Sequence, residues 1–209
     1  MNYGPLLFLG ILLTLAGSWF GLVLTPNRQL GDLQPNVNTN TAAVYPQPLP
    51  GEAAQGREIY RSMGCNYCHT QQVRPDGFGS DIQRGWGKRR SVARDYIYQK
   101  PVMLGSSRTG PDLTNIGERQ PSYDWHLTHL YNPQTTSKGS IMPPYAFLFE
   151  KRKIGYEGAS TNALKLSGEF AVEPGFEVVP KPEAMQLVEY LRSLKTSVDL
   201  PEAPLPKAE

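Results

Sequence analysis

The run Cys65-Asn66-Tyr67-Cys68-His69 constrains this 209-residue chain more than any other stretch of its sequence. Two cysteines about one helical turn apart can each form a thioether with a porphyrin vinyl group, and the adjacent histidine is then carried under the ring. A thiol redox pair or half of a zinc site also uses C-x-x-C, but the chain has only two cysteines and His69 completes the pentapeptide. The run therefore predicts covalent attachment of one haem c through Cys65 and Cys68, with His69 as an axial ligand of the iron.

A six-coordinate haem needs a second axial ligand, and a methionine sulfur opposite histidine favours ferrous iron and raises the reduction potential. Met63 is too near the attachment site to reach the opposite face, Met185 belongs to a helical pattern, and Met1 is terminal. Met103 and Met142 remain. Met142 is favoured because two consecutive prolines follow it and restrict the backbone of a ligand loop that has no helix.

The segment from Tyr3 to Leu24 contains no charged residue and would cover about 33 Å as a helix, enough to span a bilayer. A cleaved signal peptide is the alternative, but a basic n-region and a clear A-x-A site are missing and the apolar run exceeds an ordinary h-region. Residues 1–24 are therefore predicted to be a retained transmembrane anchor. Since haem is attached to C-x-x-C-H outside the bacterial cytoplasm, we expect a cytoplasmic N-terminus and a periplasmic haem domain on the bacterial inner membrane.

Composition divides the rest of the chain into a linker, a domain and a tail. Residues 25–51 are polar and rich in proline and asparagine, which is typical of a linker. A helical pattern then runs into Cys65, with Ile59 and Tyr60 near its buried side. Pro182 can occupy the first turn of another helix, whose apolar stripe comprises Leu187, Val188, Leu191 and Leu194. The predicted fold is mainly α, with the haem domain over residues 52–196 and a tail over residues 197–209.

Several of these features resemble the class I cytochromes c. A small residue at Gly56 and an aromatic residue at Tyr60, with Tyr190-Leu191 late in the chain, are similar to the crossing terminal helices of that family. The sequence Thr109-Gly110-Pro111-Asp112-Leu113 resembles the loop whose proline carbonyl accepts the second imidazole proton of the ligating histidine. The resemblance implies that Pro111 supports His69. An ordinary turn is the alternative explanation of the Gly-Pro pair.

Longer motifs narrow the resemblance to one family. They are Ser91–Gln99, Gly105–Leu113, Trp125–Pro133 and Ile141-Met142-Pro143-Pro144-Tyr145. Together they resemble the mono-haem cytochrome c subunit II (FixO/CcoO-like) of cbb3-type cytochrome c oxidases, over approximately residues 52–195. The linker before Gly51 and the insert of residues 153–180 depart from that pattern.

The insert and a basic cluster allow separate interpretations. Residues 170–172 and 176–179 flank Glu173-Pro174-Gly175 and could form a hairpin through a Pro-Gly turn.

The basic cluster consists of Lys88, Arg89, Arg90 and Arg94, in a chain of formal net charge +2. It could be a solvated face, a contact with the oxidase core, or a contact with haem propionates.

Four further side chains are candidates for site roles. His126 and His129 share a face of a predicted helix after Pro121-Ser122, but without an accompanying carboxylate or thiol cluster they are expected to serve the helix surface or a partner contact. Arg108 and Trp125 could donate hydrogen bonds to haem propionates, because guanidinium and indole N–H groups satisfy carboxylates.

With both axial positions filled, the iron has no open site for oxygen, so the chain is predicted to be a non-catalytic electron relay. The resemblance implies a route from a soluble cytochrome c or a di-haem subunit to the haem-copper catalytic subunit, where oxygen is reduced to water. The alternatives are the cytochrome c subunit of a nitric oxide reductase, a free membrane-tethered carrier, or a haem-based gas sensor. Nucleic acid binding is not expected of an anchored haem protein.

Overall fold

The N-terminal apolar run forms a helix longer than the sequence predicted. The computed structural model describes residues 2–38 and 42–206. Helix α1 (Gly4–Trp19) continues through a π-helical turn (Phe20–Leu24) into α2 (Thr25–Leu30), and together they are long and apolar enough to cross a membrane. The predicted boundary at Leu24 therefore falls inside the helix. Met1, residues 39–41 of the predicted linker and residues 207–209 of the predicted tail lie outside the described residues.

The π-helical turn has a local cause at Pro26. Proline has no backbone N–H to continue the α-helical hydrogen bonding, and a widened turn precedes it. The N–H of Thr25 donates to the carbonyl of Phe20, and the Thr25 hydroxyl donates to the same oxygen at 3.0 Å. The helix can therefore pass a proline without ending.

The chain divides into two compact units, residues 1–47 with 93–98, and residues 48–92 with 99–209. Beyond the helix, the first unit contains a short antiparallel pair, β1 (Asn36–Val37) and β2 (Val44–Tyr45). The Tyr45 hydroxyl donates to the Asp95 carboxylate at 2.8 Å, so the hairpin is tied to the segment from residue 93 to 98. Part of the predicted linker thus has structure of its own.

Within its described residues, the second unit contains four α-helices and one two-stranded sheet. The helices are α3 (Gly51–Ser62), α4 (Ile116–Arg119), α5 (Tyr123–Tyr131) and α6 (Pro182–Ser193), and the strands are β3 (Phe149–Lys153) and β4 (Phe176–Pro180). The prediction of a mainly α fold with an N-terminal helix able to span a membrane is confirmed. Helix α3 ends at Ser62, slightly before Cys65.

Helices α3 and α6 cross at close range. The rings of Tyr60 and Tyr190 meet edge to face at 5.4 Å between centroids. A Cβ on Gly56 would lie 1.9 Å from the carbonyl oxygen of Gln186, so glycine is required at the crossing. The predicted stripe on α6 is buried in the core, each of its four side chains being at most 9% exposed. Each such buried side chain contributes roughly 1.5–3 kcal/mol to folding.

The hairpin predicted within the insert is wrong. Strand β4 pairs antiparallel with β3, from Phe149 opposite Pro180 to Lys153 opposite Phe176, and not with residues 170–172. The Pro-Gly turn does form, with the N–H of Phe176 donating to the carbonyl of Glu173 at 3.1 Å. Pairing with β3 gives a ladder five residues long and buries Val178, which a three-residue partner could not match.

The basic cluster holds the end of the chain. The Arg89 Nε donates to the carbonyl of Val198 at 2.7 Å, and an Arg90 guanidinium nitrogen donates to that of Glu202 at 2.9 Å. Leu200 and Ala203 are buried. Arg89 and Arg90 therefore bind main-chain oxygens of residues 198–202, and the predicted tail after residue 196 packs as part of the unit through Ala203.

Candidate haem site

The C-x-x-C-H pentapeptide folds as one tight turn after α3. Gly64 adopts a left-handed conformation with a φ of 73°, which turns the chain out of the helix. The backbone N–H groups of Cys68 and His69 then both donate to the carbonyl of Cys65, at 3.2 and 3.0 Å. Cys65 and Cys68 are not joined in a disulfide. The turn thus brings the two thiols and the imidazole onto one short segment, as a two-point attachment with an adjacent ligand requires.

A second loop, residues 104–113, clamps this turn through backbone hydrogen bonds. The bonds run from Gln71 N to Leu104 O at 3.0 Å, from Ser106 N to Asn66 O at 3.0 Å, from Gly110 N to Cys68 O at 2.9 Å, and from Leu113 N to Thr70 O at 2.8 Å. Because both partners of each bond are main-chain atoms, the clamp fixes the path of the chain on either side of His69.

The clamp places a carbonyl against the imidazole of His69. The Nδ1 atom lies 2.8 Å from the carbonyl oxygen of Pro111. A carbonyl can only accept, so Nδ1 carries the proton and Nε2 has its lone pair available for a metal. Burial lowers the pKa of His69, which favours the neutral ring that ligates iron. The structure therefore brings together His69 and Pro111 as the resemblance implied.

Glycine is required at two points of the loop next to His69. A Cβ on Gly110 would lie 2.3 Å from Cε1 and 2.7 Å from Nδ1 of the imidazole. A Cβ on Gly105 would lie 2.2 Å from the His69 carbonyl oxygen, and this glycine has a φ of 84°. The main chain can approach the ring and its backbone only because these side chains are missing.

Asp112 is the functional candidate that the sequence did not identify. It is 0% exposed, and its carboxylate accepts from the Thr70 hydroxyl at 2.6 Å, from Gln72 N at 2.7 Å and from Thr114 N at 2.8 Å. It therefore binds the chain just after His69 to the loop that carries Pro111. An acidic residue directly after a Gly-Pro turn was the available signal, but its partners Thr70 and Gln72 are 42 and 40 residues away in the sequence.

One protein family matches these features. The model of the family described as cytochrome c oxidase, mono-heme subunit/FixO, matches residues 32–173, which include the pentapeptide, the clamp loop and Met142. The chain belongs to the FixO family. It is thus a mono-haem subunit of a cytochrome c oxidase, haem is its cofactor, and it associates with an oxidase complex and a membrane. No curated protein sequence matches the chain closely enough to count as a relative.

The residues of this FixO-family chain fit a haem. Two unpaired thiols stand on one turn, Nε2 of His69 is the ring nitrogen left for a metal, and glycine backs the imidazole. Tyr67 and Ile141 are 69% and 80% exposed, which leaves apolar surface beside the attachment turn and the Met142 loop for a cofactor to cover. Among residues 2–38 and 42–206, no group of three or more His, Cys, Asp or Glu side chains could hold a metal ion instead.

The two candidate methionines occupy different environments. Met103 is 2% exposed, and it precedes Leu104, whose carbonyl binds the chain directly after His69. Met142 is half-buried at the edge of the core. Tyr145, from the same loop, lies beside Cys65, and burial raises the pKa of both groups, to about 12 for the phenol and about 11 for the thiol. None of these contacts tests which sulfur ligates the iron, so Met142 remains the predicted axial ligand.

Arg108 and Trp125 are engaged with other protein groups. The Arg108 guanidinium pairs with the Asp81 carboxylate and donates to the carbonyl of Gln72 at 2.6 Å. Its Nε is buried and has no partner within the described part of the chain. Trp125 stacks on His129, with the ring planes 8° apart and the centroids 4.7 Å apart. Their propionate contacts stay predictions, and the salt bridge with Asp81 gives Arg108 a structural role as well.

His126 is not a surface residue. It is 2% exposed, and its Nε2 lies 2.8 Å from the carbonyl of Gln120, so it satisfies the turn before α5 from inside the core. The expectation of a helix-surface role is therefore wrong for this residue, because Leu127 and Leu130 turn the same side of α5 inward. His129 is half-buried, its Nδ1 lies 2.6 Å from the Thr136 hydroxyl, and burial lowers its pKa to about 4.

Proposed function

We propose that this chain is the membrane-anchored electron relay of a cbb3-type haem-copper oxidase. It takes electrons from a soluble cytochrome c or a di-haem cytochrome c subunit and passes them to the catalytic subunit that reduces oxygen to water. Cys65 and Cys68 bind the haem covalently, and His69 and Met142 are the axial ligands. The chain contributes no catalytic residue of its own.

The hydrogen bond between His69 and Pro111 supports this proposal most. It holds the ring at a fixed tautomer, with Nε2 open to a metal, next to the two thiols. When bound, the haem supplies a one-electron couple. The chain's own residues orient the imidazole and leave no room for a side chain at Gly110 beside it, and the thioether sulfur of Met142 would serve as the second ligand.

The helix from Gly4 to Leu30 supports the membrane placement. It would hold the haem domain at the membrane surface. The assembled complex would then set the distance between the haem and the catalytic subunit, and the domain would not have to diffuse to its acceptor. Because thioether formation at C-x-x-C-H takes place outside the bacterial cytoplasm, we place the haem domain in the periplasm and the N-terminus in the cytoplasm. Protease digestion of sealed spheroplasts tests this orientation, and protection of the domain in intact spheroplasts would contradict it.

The decisive experiment is a haem and metal inventory of the complex purified in mild detergent through this subunit. We expect one covalent haem c on this chain, retained under denaturing conditions, and a large membrane partner that contains haem and copper. A partner with non-haem iron in place of copper would identify a nitric oxide reductase instead. Recovery of the chain alone would favour a free carrier, and carbon monoxide binding by the isolated, reduced haem domain of this chain would favour a sensor. Each of these last three results would overturn the oxidase proposal.

A further inference from the structure

We propose that Arg119 sets the reduction potential of this subunit by placing a positive charge behind the imidazole of His69. The inference rests on the proposed function, because it takes His69 as an axial ligand of a haem. Arg119 is assigned a tuning role and not a role in holding the cofactor.

The position of Arg119 follows from the short helix α4. The N–H of Arg119 donates to the carbonyl of Asn115 at 3.0 Å, which closes the helical turn. Its guanidinium then reaches back and donates to the carbonyl of Asp112. That carbonyl belongs to the residue after Pro111, whose own carbonyl accepts from His69. The cation and the imidazole therefore bind two consecutive peptide groups of one loop.

The environment of Arg119 strengthens its field. The side chain is half-buried, and its Nε is buried with no hydrogen-bond partner in the part of the chain that the structure describes. Desolvation lowers the pKa of Arg119, yet a guanidinium stays charged under all ordinary conditions. A charge with little surrounding water is screened less than one on the surface, so its effect reaches further.

A second charge near His69 opposes it. The Asp112 carboxylate is buried in the same loop, where it accepts from the Thr70 hydroxyl and from Gln72 N, just after His69 in the chain. Arg108 approaches the same carboxylate at 3.9 Å and offsets part of its charge. The Arg119 guanidinium adds a positive charge at the main-chain carbonyl of the same residue.

The sign of the effect follows from the change in charge on reduction. The ferric form carries one more positive charge than the ferrous form, which has taken up one electron from the donor cytochrome. A fixed cation nearby destabilises the more positive form, so it favours the ferrous state and raises the potential. A single partly screened charge at this range shifts the ferric–ferrous equilibrium by about three- to tenfold, and tenfold corresponds to about 59 mV in a one-electron couple.

The test compares Arg119→Gln and Arg119→Lys in the full-length, haem-loaded subunit by spectroelectrochemical titration. Arg119→Gln should shift the equilibrium about three- to tenfold towards ferric iron and so lower the midpoint potential, by about 59 mV for a tenfold shift. Arg119→Lys should restore most of the potential because it keeps the charge. Lys153→Gln is the matched control, since it removes one positive charge from an exposed position on β3 and should leave the potential unchanged. The Nδ1 proton resonance of His69 in the ferrous protein should shift in Arg119→Gln, which a contact with a haem propionate alone would not produce.

Asp112→Asn provides an independent test if Arg119→Gln does not load haem. It removes the opposing charge with little change in shape and should raise the potential. The assignment of a charge effect is overturned if the potential is unchanged in fully loaded Arg119→Gln. It is also overturned if Arg119→Lys fails to restore the lowered potential, or if the potential falls in Asp112→Asn. Failure of the proposed function is distinguishable, because it would appear in the metal and haem content of the purified complex, whereas the potential is measured at the haem of this subunit.

Discussion

Gly110 and the imidazole of His69 approach so closely that no side chain fits between them. A Cβ on Gly110 would lie 2.3 Å from Cε1 of the ring, whereas real Cβ contacts stay beyond about 3.0 Å. The loop that supplies the Pro111 carbonyl therefore depends on this glycine to reach Nδ1.

Gly110→Ala should displace the loop from His69. We expect a lower yield of haem-loaded protein and a loss of about 1–3 kcal/mol in the free energy of unfolding, as for overpacking in a core. Denaturant titration and the haem-to-protein ratio measure both. Gly155→Ala is the control, because a Cβ there meets no atom within 4 Å. Equal behaviour of the two variants would mean that the loop can move away from His69 without consequence.

Gly56→Ala should weaken the crossing of α3 and α6. The new Cβ would lie 1.9 Å from the carbonyl of Gln186, so the helices must separate and Tyr60 and Tyr190 lose their edge contact. We expect a loss of about 1–3 kcal/mol or more in unfolding free energy, measured by denaturant titration. Gly51→Ala, at the open start of α3, should change stability by less than about 0.5 kcal/mol. A stable Gly56→Ala variant would contradict the tight crossing.

Met142→Leu should remove the axial sulfur. The sulfur-to-iron absorption band should disappear and the potential should fall, because the thioether no longer favours ferrous iron. Met103→Leu keeps an apolar side chain of similar volume, so the band should remain and stability should fall by less than about 1.5 kcal/mol. Loss of the band in Met103→Leu with retention in Met142→Leu would transfer the ligand role to Met103.

Truncation of the N-terminus should have two distinct effects. Removing residues 1–30 behind a cleavable export signal deletes the apolar helix, and the remaining protein should be soluble and haem-loaded. Removing residues 1–47 also deletes the hydrogen bond from Tyr45 to Asp95, which should lower the stability of the segment from residue 93 to 98 by about 1 kcal/mol. Hydrogen exchange of this segment distinguishes the two truncations. Failure of the shorter deletion to bind haem despite normal export would show that the helix is needed for folding.

Stability should fall as the pH is lowered from about 6.5 towards 4. Burial lowers the pKa of His129 from 6.5 to about 4, so the unfolded chain binds a proton in this range and the folded chain does not. The stabilisation is fully present above pH 6.5, the pKa of His129 in the unfolded chain, and is lost as the pH falls. The loss in unfolding free energy is at most about 2 kcal/mol, because the ring keeps some exposure. His126 acts in the same direction. His129→Gln should flatten the profile of unfolding free energy against pH, and an unchanged slope would assign the effect to other groups.

The sequence alone determined the features that are encoded within a short stretch. The pentapeptide predicted the haem, and longer motifs such as Gly105–Leu113 indicated the family. The uncharged run identified the helix able to span a membrane, and the spacing of Leu187, Val188 and Leu191 identified the buried face of α6. These signals are local, because covalent spacing and helical periodicity relate residues only a few positions apart.

Only the tertiary structure decided which distant groups meet. Strand β4 pairs with β3 and not with its neighbour across the Pro-Gly turn, Arg89 binds the end of the chain, and His126 points inward. A pattern of side chains predicts the type of an element but not its partner, because hydrogen-bonding groups of the backbone are the same at every residue. The same limit applied at the candidate site. Asp112 reaches Thr70 and Gln72, just after His69, across 42 and 40 residues of sequence, and Arg119 reaches the same loop through the carbonyl of Asp112.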